Sequence, residues 1–181
     1  PYATNRTINI TNGGTGQLDL SPTEIQFVSV AGGTLQLGST GATGDINLNA
    51  TLNSTDVNAG TLKLLSGHDV NITGGNDIGV IGAEFNHHLN LTAAGNVNIT
   101  NGNVYLADNN NLTVVATGSV NIGGDTLQVG TGAGNTTGFM SIQGQNITMG
   151  SSGGPEVIAV TGSGNQTFTA AGQIDIINSA N

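Results

Sequence analysis

Two columns of apolar-polar-apolar triplets run through this chain at a nearly constant step, and that periodicity limits its fold more than any other feature. The first column reads Ile8-Asn9-Ile10, Leu35-Gln36-Leu37, Leu62-Lys63-Leu64, Leu89-Asn90-Leu91, Leu112-Thr113-Val114 and Met140-Ser141-Ile142, with a weaker copy centred on Phe168. Its second apolar residues stand at 10, 37, 64, 91, 114, 142 and 168, so the steps are 27, 27, 27, 23, 28 and 26. The second column reads Leu18-Asp19-Leu20, Ile46-Asn47-Leu48, Val70-Asn71-Ile72, Val97-Asn98-Ile99, Val120-Asn121-Ile122, Ile147-Thr148-Met149 and Ile174-Asp175-Ile176. A third, looser set is Val28-Ser29-Val30, Ile78-Gly79-Val80, Val104-Tyr105-Leu106, Leu127-Gln128-Val129 and Val157 to Val160.

Such a triplet puts two side chains on one face and one on the other, which is strand periodicity. Between triplets stand Gly, Asn, Asp and Ser, which tolerate turn conformations. Three short strands in each repeat of about 27 residues describe one coil of a parallel β-solenoid, whose coils bury apolar side chains only by stacking. The spacing therefore predicts an all-β chain, one β-solenoid domain over residues 1–181, with about seven coils of three short strands. A β-sandwich also has many short strands, but it does not place two columns in step. Helix is disfavoured throughout by Gly and β-branched residues and by the lack of a sustained 3.6-residue stripe.

In a solenoid the middle residues of the second column stack: Asp19, Asn47, Asn71, Asn98, Asn121, Thr148 and Asp175. Stacked amides hydrogen-bond along the axis. Charge falls on the two end members, as repulsion between stacked carboxylates requires.

Composition narrows the function classes. Arg6 and Lys63 are the only Lys or Arg residues, against 11 Asp and Glu, for a net charge of −9. Nucleic-acid binding needs several basic residues per site, so it is excluded as a partner class, as is docking on anionic lipid. No apolar run approaches the roughly 18 residues of a membrane-inserted helix. The chain has no Cys, hence no disulfide framework or thiolate zinc site. Leu, Ile, Val and Phe total 46 of 181 residues, above the roughly 20% level below which disorder is expected.

The phrases Leu89-Asn90-Leu91-Thr92-Ala93-Ala94-Gly95-Asn96-Val97-Asn98-Ile99 and Phe168-Thr169-Ala170-Ala171-Gly172-Gln173-Ile174-Asp175-Ile176 carry a family resemblance. So do the weaker echoes at 64–72 and 114–122. The chain resembles the haemagglutinin-type repeats of large bacterial exoproteins, the filamentous haemagglutinins and two-partner-secretion adhesins. It lacks the Asn-Pro-Asn-type motifs of their secretion domain and resembles the repetitive shaft instead. The resemblance implies a right-handed parallel β-helix, an extracellular or cell-surface location, and a role as a stalk, adhesin or fibre.

Chemical sites are sparse. Glu84, His87, His88 and Asp108 form one group with metal-ligand residue types, and His68 beside Asp69 forms another. Adjacent histidines on a strand point opposite ways, so both groups read as loop or surface residues and no metal site is assigned. Gly74-Gly75-Asn76-Asp77 and Gly123-Gly124-Asp125 look like calcium-binding repeat fragments, but they are isolated, and turns with Gly at positive φ explain them. No cofactor is assigned. The acids are spread singly and only two basic residues stand beside them, so no hydrolase or lyase pair is identified and the chain reads as a non-enzyme. Eleven Asn-x-Ser/Thr sequons occur in a chain with 24 Asn and 24 Thr, several of them inside strands. Ice binding would need a column of Thr-x-Thr pairs, and only Thr167-Phe168-Thr169 has that form.

No capping helix is expected at either end. Uncapped rungs template association, so the partners expected are a second copy joined end to end or neighbouring repeats of a longer chain. The rival reading is an adhesin module whose loops bind a host glycan or receptor. Its candidate loops break the register: Asn49 to Ala59, Val80 to His88 and Gly130 to Gly138.

Overall fold

The computed structural model describes residues 6–13, 18–41, 44–124, 126–131, 137–150 and 157–177. In chain order the elements are β1 (Ile8–Thr11), β2 (Leu18–Leu20), α1 (Pro22–Gln26), β3 (Ser29–Ser39), β4 (Ile46–Asn49), β5 (Asn58–Ser66), β6 (Val70–Thr73), β7 (His88–Ala93), β8 (Val97–Thr100), β9 (Val104–Leu106), β10 (Leu112–Ala116), β11 (Val120–Gly123), β12 (Thr126–Val129), β13 (Met140–Gly144), β14 (Ile147–Met149), β15 (Val157–Val160), β16 (Gln166–Ala170) and β17 (Ile174–Ile176). A 3-10 turn, Ser54–Asp56, lies between β4 and β5.

The described strands make three parallel sheets. The first runs β17-β14-β11-β8-β6-β4-β1-β2, the second β16-β13-β10-β7-β5-β3, and the third β15-β12-β9. Successive triplets pair in register: Leu37 with Leu64, Leu64 with Leu91, Leu91 with Val114, Val114 with Ile142, and Ile142 with Phe168. The first sheet repeats this with Leu48, Ile72, Ile99, Ile122, Met149 and Ile176. The chain is therefore an all-β parallel solenoid whose turns lie about 27 residues apart.

Three details differ from the periodic reading. There are about five turns rather than seven coils. Ile8-Asn9-Ile10 does not start the second sheet. It pairs with Ile46-Asn47-Leu48 in the first, and Leu18-Asp19-Leu20 pairs outside it as an added edge strand. Locally, Ile-Asn-Ile fits either column, and its central Asn is the residue type of the column it joins. Val28-Ser29-Val30 likewise leads into β3 and the second sheet, where a bulge between Val30 and Thr34 absorbs the extra residues. The third face is continuous only over β9, β12 and β15. Before that it consists of single parallel bridges, Leu52 to Ile78, Ile78 to Val104 and Phe85 to Leu106.

Between the end rungs the inward columns are closed off from water. Leu62, Leu64, Leu89, Leu91, Val70, Ile72, Val97 and Ile99 are all fully buried, and they join Leu52, Phe85 and Val104 in one core. A rung buries these side chains only against the rungs on either side, so burial and ladder hydrogen bonding are coupled.

The expectation of no helix fails at one end, where α1 packs against the 3-10 turn. Pro22 and Ile25 are buried there, and Ile25 enters the core. Gln26 Nε2 donates to the Thr55 carbonyl at 2.9 Å. A capping box starts the helix: the Glu24 N–H donates to Ser21 Oγ at 3.2 Å, and the Ser21 N–H donates to Glu24 Oε2 at 2.8 Å. These contacts with the Ser21 backbone and hydroxyl hold the Glu24 carboxyl below its ordinary value. The box is thus fully formed above the ordinary glutamate pKa and weakens as pH falls through the lowered one.

Leu91 is buried between Leu64 and Val114, whereas Thr113, which precedes Val114 and pairs with Asn90, points outward. Leu91→Ala is expected to destabilise the chain by about 2–5 kcal/mol. Thr113→Ala is expected to stay within about 0.5 kcal/mol of wild type. Urea unfolding followed by circular dichroism checks both.

Candidate functional site

The outward face of the first sheet carries a ladder of side-chain amides. Asn121 Nδ2 donates to Asn98 Oδ1 at 2.7 Å, Asn98 Nδ2 to Asn71 Oδ1 at 2.8 Å, and Asn71 Nδ2 to Asn47 Oδ1 at 2.8 Å. Asn47 Nδ2 then donates to Asn9 Oδ1 at 3.0 Å, and Asn9 Nδ2 to Asp19 Oδ1 at 2.9 Å. Every bond points the same way, so the amide dipoles align and the last acceptor is a carboxylate. Hydrogen bonds to charged acceptors are the stronger kind, and aligned chains polarise one another. Asp19 therefore does not stack on Asn47, because Asn9 stands between them. Thr148 and Asp175 continue the column in register on β14 and β17, and Gln173 Nε2 donates to Asp175. The sequons at Asn9, Asn71 and Asn98 lie inside this ladder with their amides bonded, while Asn5 and Asn135 lie outside the described residues.

A second system runs along the corner that precedes the first sheet. Asp45, Asp69, Asn96, Ser119, Asn146 and Gln173 each stand immediately before a triplet of that sheet. The side chain of one rung accepts the backbone N–H of the next. Asn96 N–H reaches Asp69 Oδ1 at 2.6 Å, Ser119 N–H reaches Asn96 Oδ1 at 2.8 Å, and Gln173 N–H reaches Asn146 Oδ1 at 3.1 Å. The same device recurs elsewhere: Asn103 N–H to Asp77 Oδ1 at 2.8 Å, Thr126 N–H to Asn103 Oδ1 at 2.9 Å, and Thr131 N–H to Asp108 Oδ1 at 2.9 Å. Corner turns have N–H groups that no strand partner takes, and short Asx oxygens satisfy them. The glycines of the repeat phrases belong to this corner. A Cβ at Gly118 would lie 2.6 Å from Asn96 Oδ1 and 2.9 Å from the Gly95 carbonyl.

This accounts for several of the scattered acids. Asp69, Asp77 and Asp108 are backbone caps. Glu84 Oε1 accepts the Gly82 N–H at 2.9 Å. His87 Nε2 lies 2.9 Å from the Ser54 carbonyl, with its ring edge-on to Phe85 at 5.0 Å. His88 Nδ1 accepts the Asn111 N–H at 3.1 Å. Glu84, His87, His88 and Asp108 thus have separate partners. In the Gly-Gly-Asn-Asp turn, Gly74 and Gly75 take φ of 73° and 79°, and Asp77 is bonded to Asn103. Gly124 has φ of 77°, while Asp125 lies outside the described residues.

His68 does gain partners. Its Nδ1 lies 2.5 Å from Asp45 Oδ1 and 3.8 Å from Asp69 Oδ2. The hydrogen bond to Asp45 first, then the charges of Asp69 and Asp45, raise the imidazole pKa above its ordinary value. The sequence pattern marks Asp45 as well: it precedes Ile46 as Asp69 precedes Val70.

Of the register-breaking loops, residues 49–59 hold fully buried Leu52 and the core residues Val57 and Ala59. Residues 80–88 hold fully buried Phe85, and a tight antiparallel turn from Val80 to Ala83 lifts Ile81 into solvent at 78% exposure. Most of the third loop, residues 132–136, lies outside the described residues.

Exposed large apolar side chains gather at the two ends of the stack. Leu18, Phe27, Val28 and Val30 lie on or beside α1 and the edge strands β2 and β3. Val157, Ile174, Ile176 and Ile177 lie on or beside the edge strands β15 and β17. Among the described residues only Ile81 and Phe139 share that exposure between the ends.

Together these features define a parallel β-solenoid with polar ladders outside and an apolar stack inside. No protein-family model, curated protein or solved structure matches the chain.

Asn98→Ala leaves Asn71 Oδ1 without its donor and Asn121 Nδ2 without its acceptor. Chemical unfolding is expected to show a loss of about 1–3 kcal/mol.

Proposed function

We propose that this chain is a non-catalytic structural and adhesive rod, a stalk or fibre segment of the haemagglutinin-repeat kind at a bacterial cell surface, joined end to end to further rungs. The observation that carries this reading is the concentration of exposed apolar side chains at the two ends. Exposed edge strands offer unpaired N–H and C=O groups, and an apolar patch beside them marks a contact surface. A second copy supplies both a continuing ladder and an apolar face. The two ends are unlike, because α1 closes the core at one of them. The rim of Leu18, Phe27, Val28 and Val30 is the contact there, and the β15 and β17 edges are the contact at the other.

The extracellular assignment is supported by the repeat phrases and by a composition nearly free of Lys and Arg. The alternative, an adhesin module acting through its loops on a glycan or receptor, is favoured by one observation, the solvent-exposed Ile81 at the tip of its turn.

Light scattering and electron microscopy of the purified chain over a dilution series test the reading. Mass should rise with concentration above 18.0 kDa, with rods joined at their ends. Ile176→Lys and Phe27→Lys should each shorten the assemblies while Ile81→Ser leaves them unchanged. A chain that stays monomeric throughout, or one in which only Ile81→Ser has an effect, contradicts end-to-end joining.

A further inference from the structure

Among the corner residues before the first sheet, Asp45 and Asp69 break a pattern. The later rungs place Asn96, Ser119, Asn146 and Gln173 there, all neutral. A neutral oxygen is enough to accept the next rung's N–H. Carboxylates on successive rungs, roughly 4.8 Å apart, instead repel each other. At this pair alone among the described corner residues, an imidazole lies across the two acids. One ligand atom from each of Asp45, His68 and Asp69 lies within 4.8 Å of the others.

The three side chains are held from behind. Asp45 Oδ1 accepts the Asp69 N–H at 3.2 Å, and Asp69 Oδ1 accepts the Asn96 N–H at 2.6 Å, which leaves Asp69 Oδ2 turned towards His68. The His68 N–H donates to Ser66 Oγ at 3.0 Å, and the Ser66 hydroxyl donates to the Gly44 carbonyl at 2.9 Å. Ser66 is only 1% exposed. A buried hydroxyl thus ties the turn carrying Asp45 to the turn carrying His68. The outer side is open, since the His68 side chain is 60% exposed.

We propose that Asp45, His68 and Asp69 form a divalent-cation site that takes Zn2+, with water in the remaining positions. One imidazole nitrogen and two carboxylate oxygens are ligands that Zn2+ accepts. Ca2+ requires six to eight oxygens, and the corner provides two carboxylates. Zinc bonds of about 2.0–2.2 Å in a tetrahedral site set ligand atoms roughly 3.3 Å apart, so the His68–Asp45 hydrogen bond opens and Asp69 Oδ2 draws in, and the exposed imidazole can swing to do so. The hydrogen bonds to Ser66 and Asn96 act as the outer support that orients ligands in such sites. A bound cation also offsets the one pair of stacked carboxylates in this corner.

The test is isothermal titration of ZnCl2 into the whole chain after chelator treatment and dialysis, together with thermal melts. One Zn2+ per chain and a raised melting temperature are expected. His68→Gln and Asp45→Asn should each weaken binding by about tenfold or more, while His87→Gln binds as wild type. His68→Gln should melt cooperatively without metal, which separates lost binding from lost folding. No zinc heat or melting shift up to about 1 mM overturns the proposal. So does zinc binding unchanged in His68→Gln, which is an adventitious ion only, or Ca2+ binding more tightly than Zn2+.

Discussion

Every part of this structure depends on rung-to-rung stacking. A single turn of about 27 residues encloses too little volume to bury its own Leu, Ile and Val side chains, so each turn is stable only between two others. That requirement sets the register, because a one-residue slip would turn Leu91 out and Asn90 in. It also sets the chemistry of the outer face. Identical positions repeat roughly every 4.8 Å along the axis, a spacing at which like charges repel and amides bond. Asn, Thr, Ser and Gly are what such a spacing tolerates, and the low share of charged residues, 7%, follows from the same geometry. The amide ladder and the corner caps are two uses of one fact: the residue one turn ahead is always the nearest neighbour.

Both main columns could be read directly from the chain, because apolar triplets at a fixed step translate into strand partners without knowledge of the loops. Leu37, Leu64, Leu91, Val114, Ile142 and Phe168 do stack. The errors sit where local pattern and global register part. Ile8-Asn9-Ile10 carries no mark of which sheet it joins, and only the pairing with Ile46-Asn47-Leu48 decides it. The α1 cap had its signal in Ser21-Pro22-Thr23-Glu24, a capping box with Pro at the first helical position. Five residues are too few to show a helical stripe, so a search by period passes over them.

The chemical groups were harder to place than the fold. The acids look scattered in the sequence, but the shared role of Asp45, Asp69, Asp77 and Asp108 as backbone N–H acceptors at corners becomes clear only once the turns are superposed. Asp45 and His68 stand 23 residues apart, and they meet because the solenoid brings one turn over the next. His87 and His88, which draw the eye in the chain, are used locally by Ser54, Phe85 and Asn111. Among the described residues, the two ends and the Ile81 turn expose large apolar side chains, and the corner at His68 is open to solvent.

The stacking itself is tested most directly by a distance along the rod. Gln36, Lys63, Asn90, Thr113, Ser141 and Thr167 form one outward column in register. The chain has no Cys, so spin labels at Gln36→Cys and Thr167→Cys report a single distance by pulsed electron paramagnetic resonance. Five rung steps predict a narrow distribution centred at roughly 24 Å. A broad distribution, or one centred well away from that value, would contradict a stack of parallel rungs.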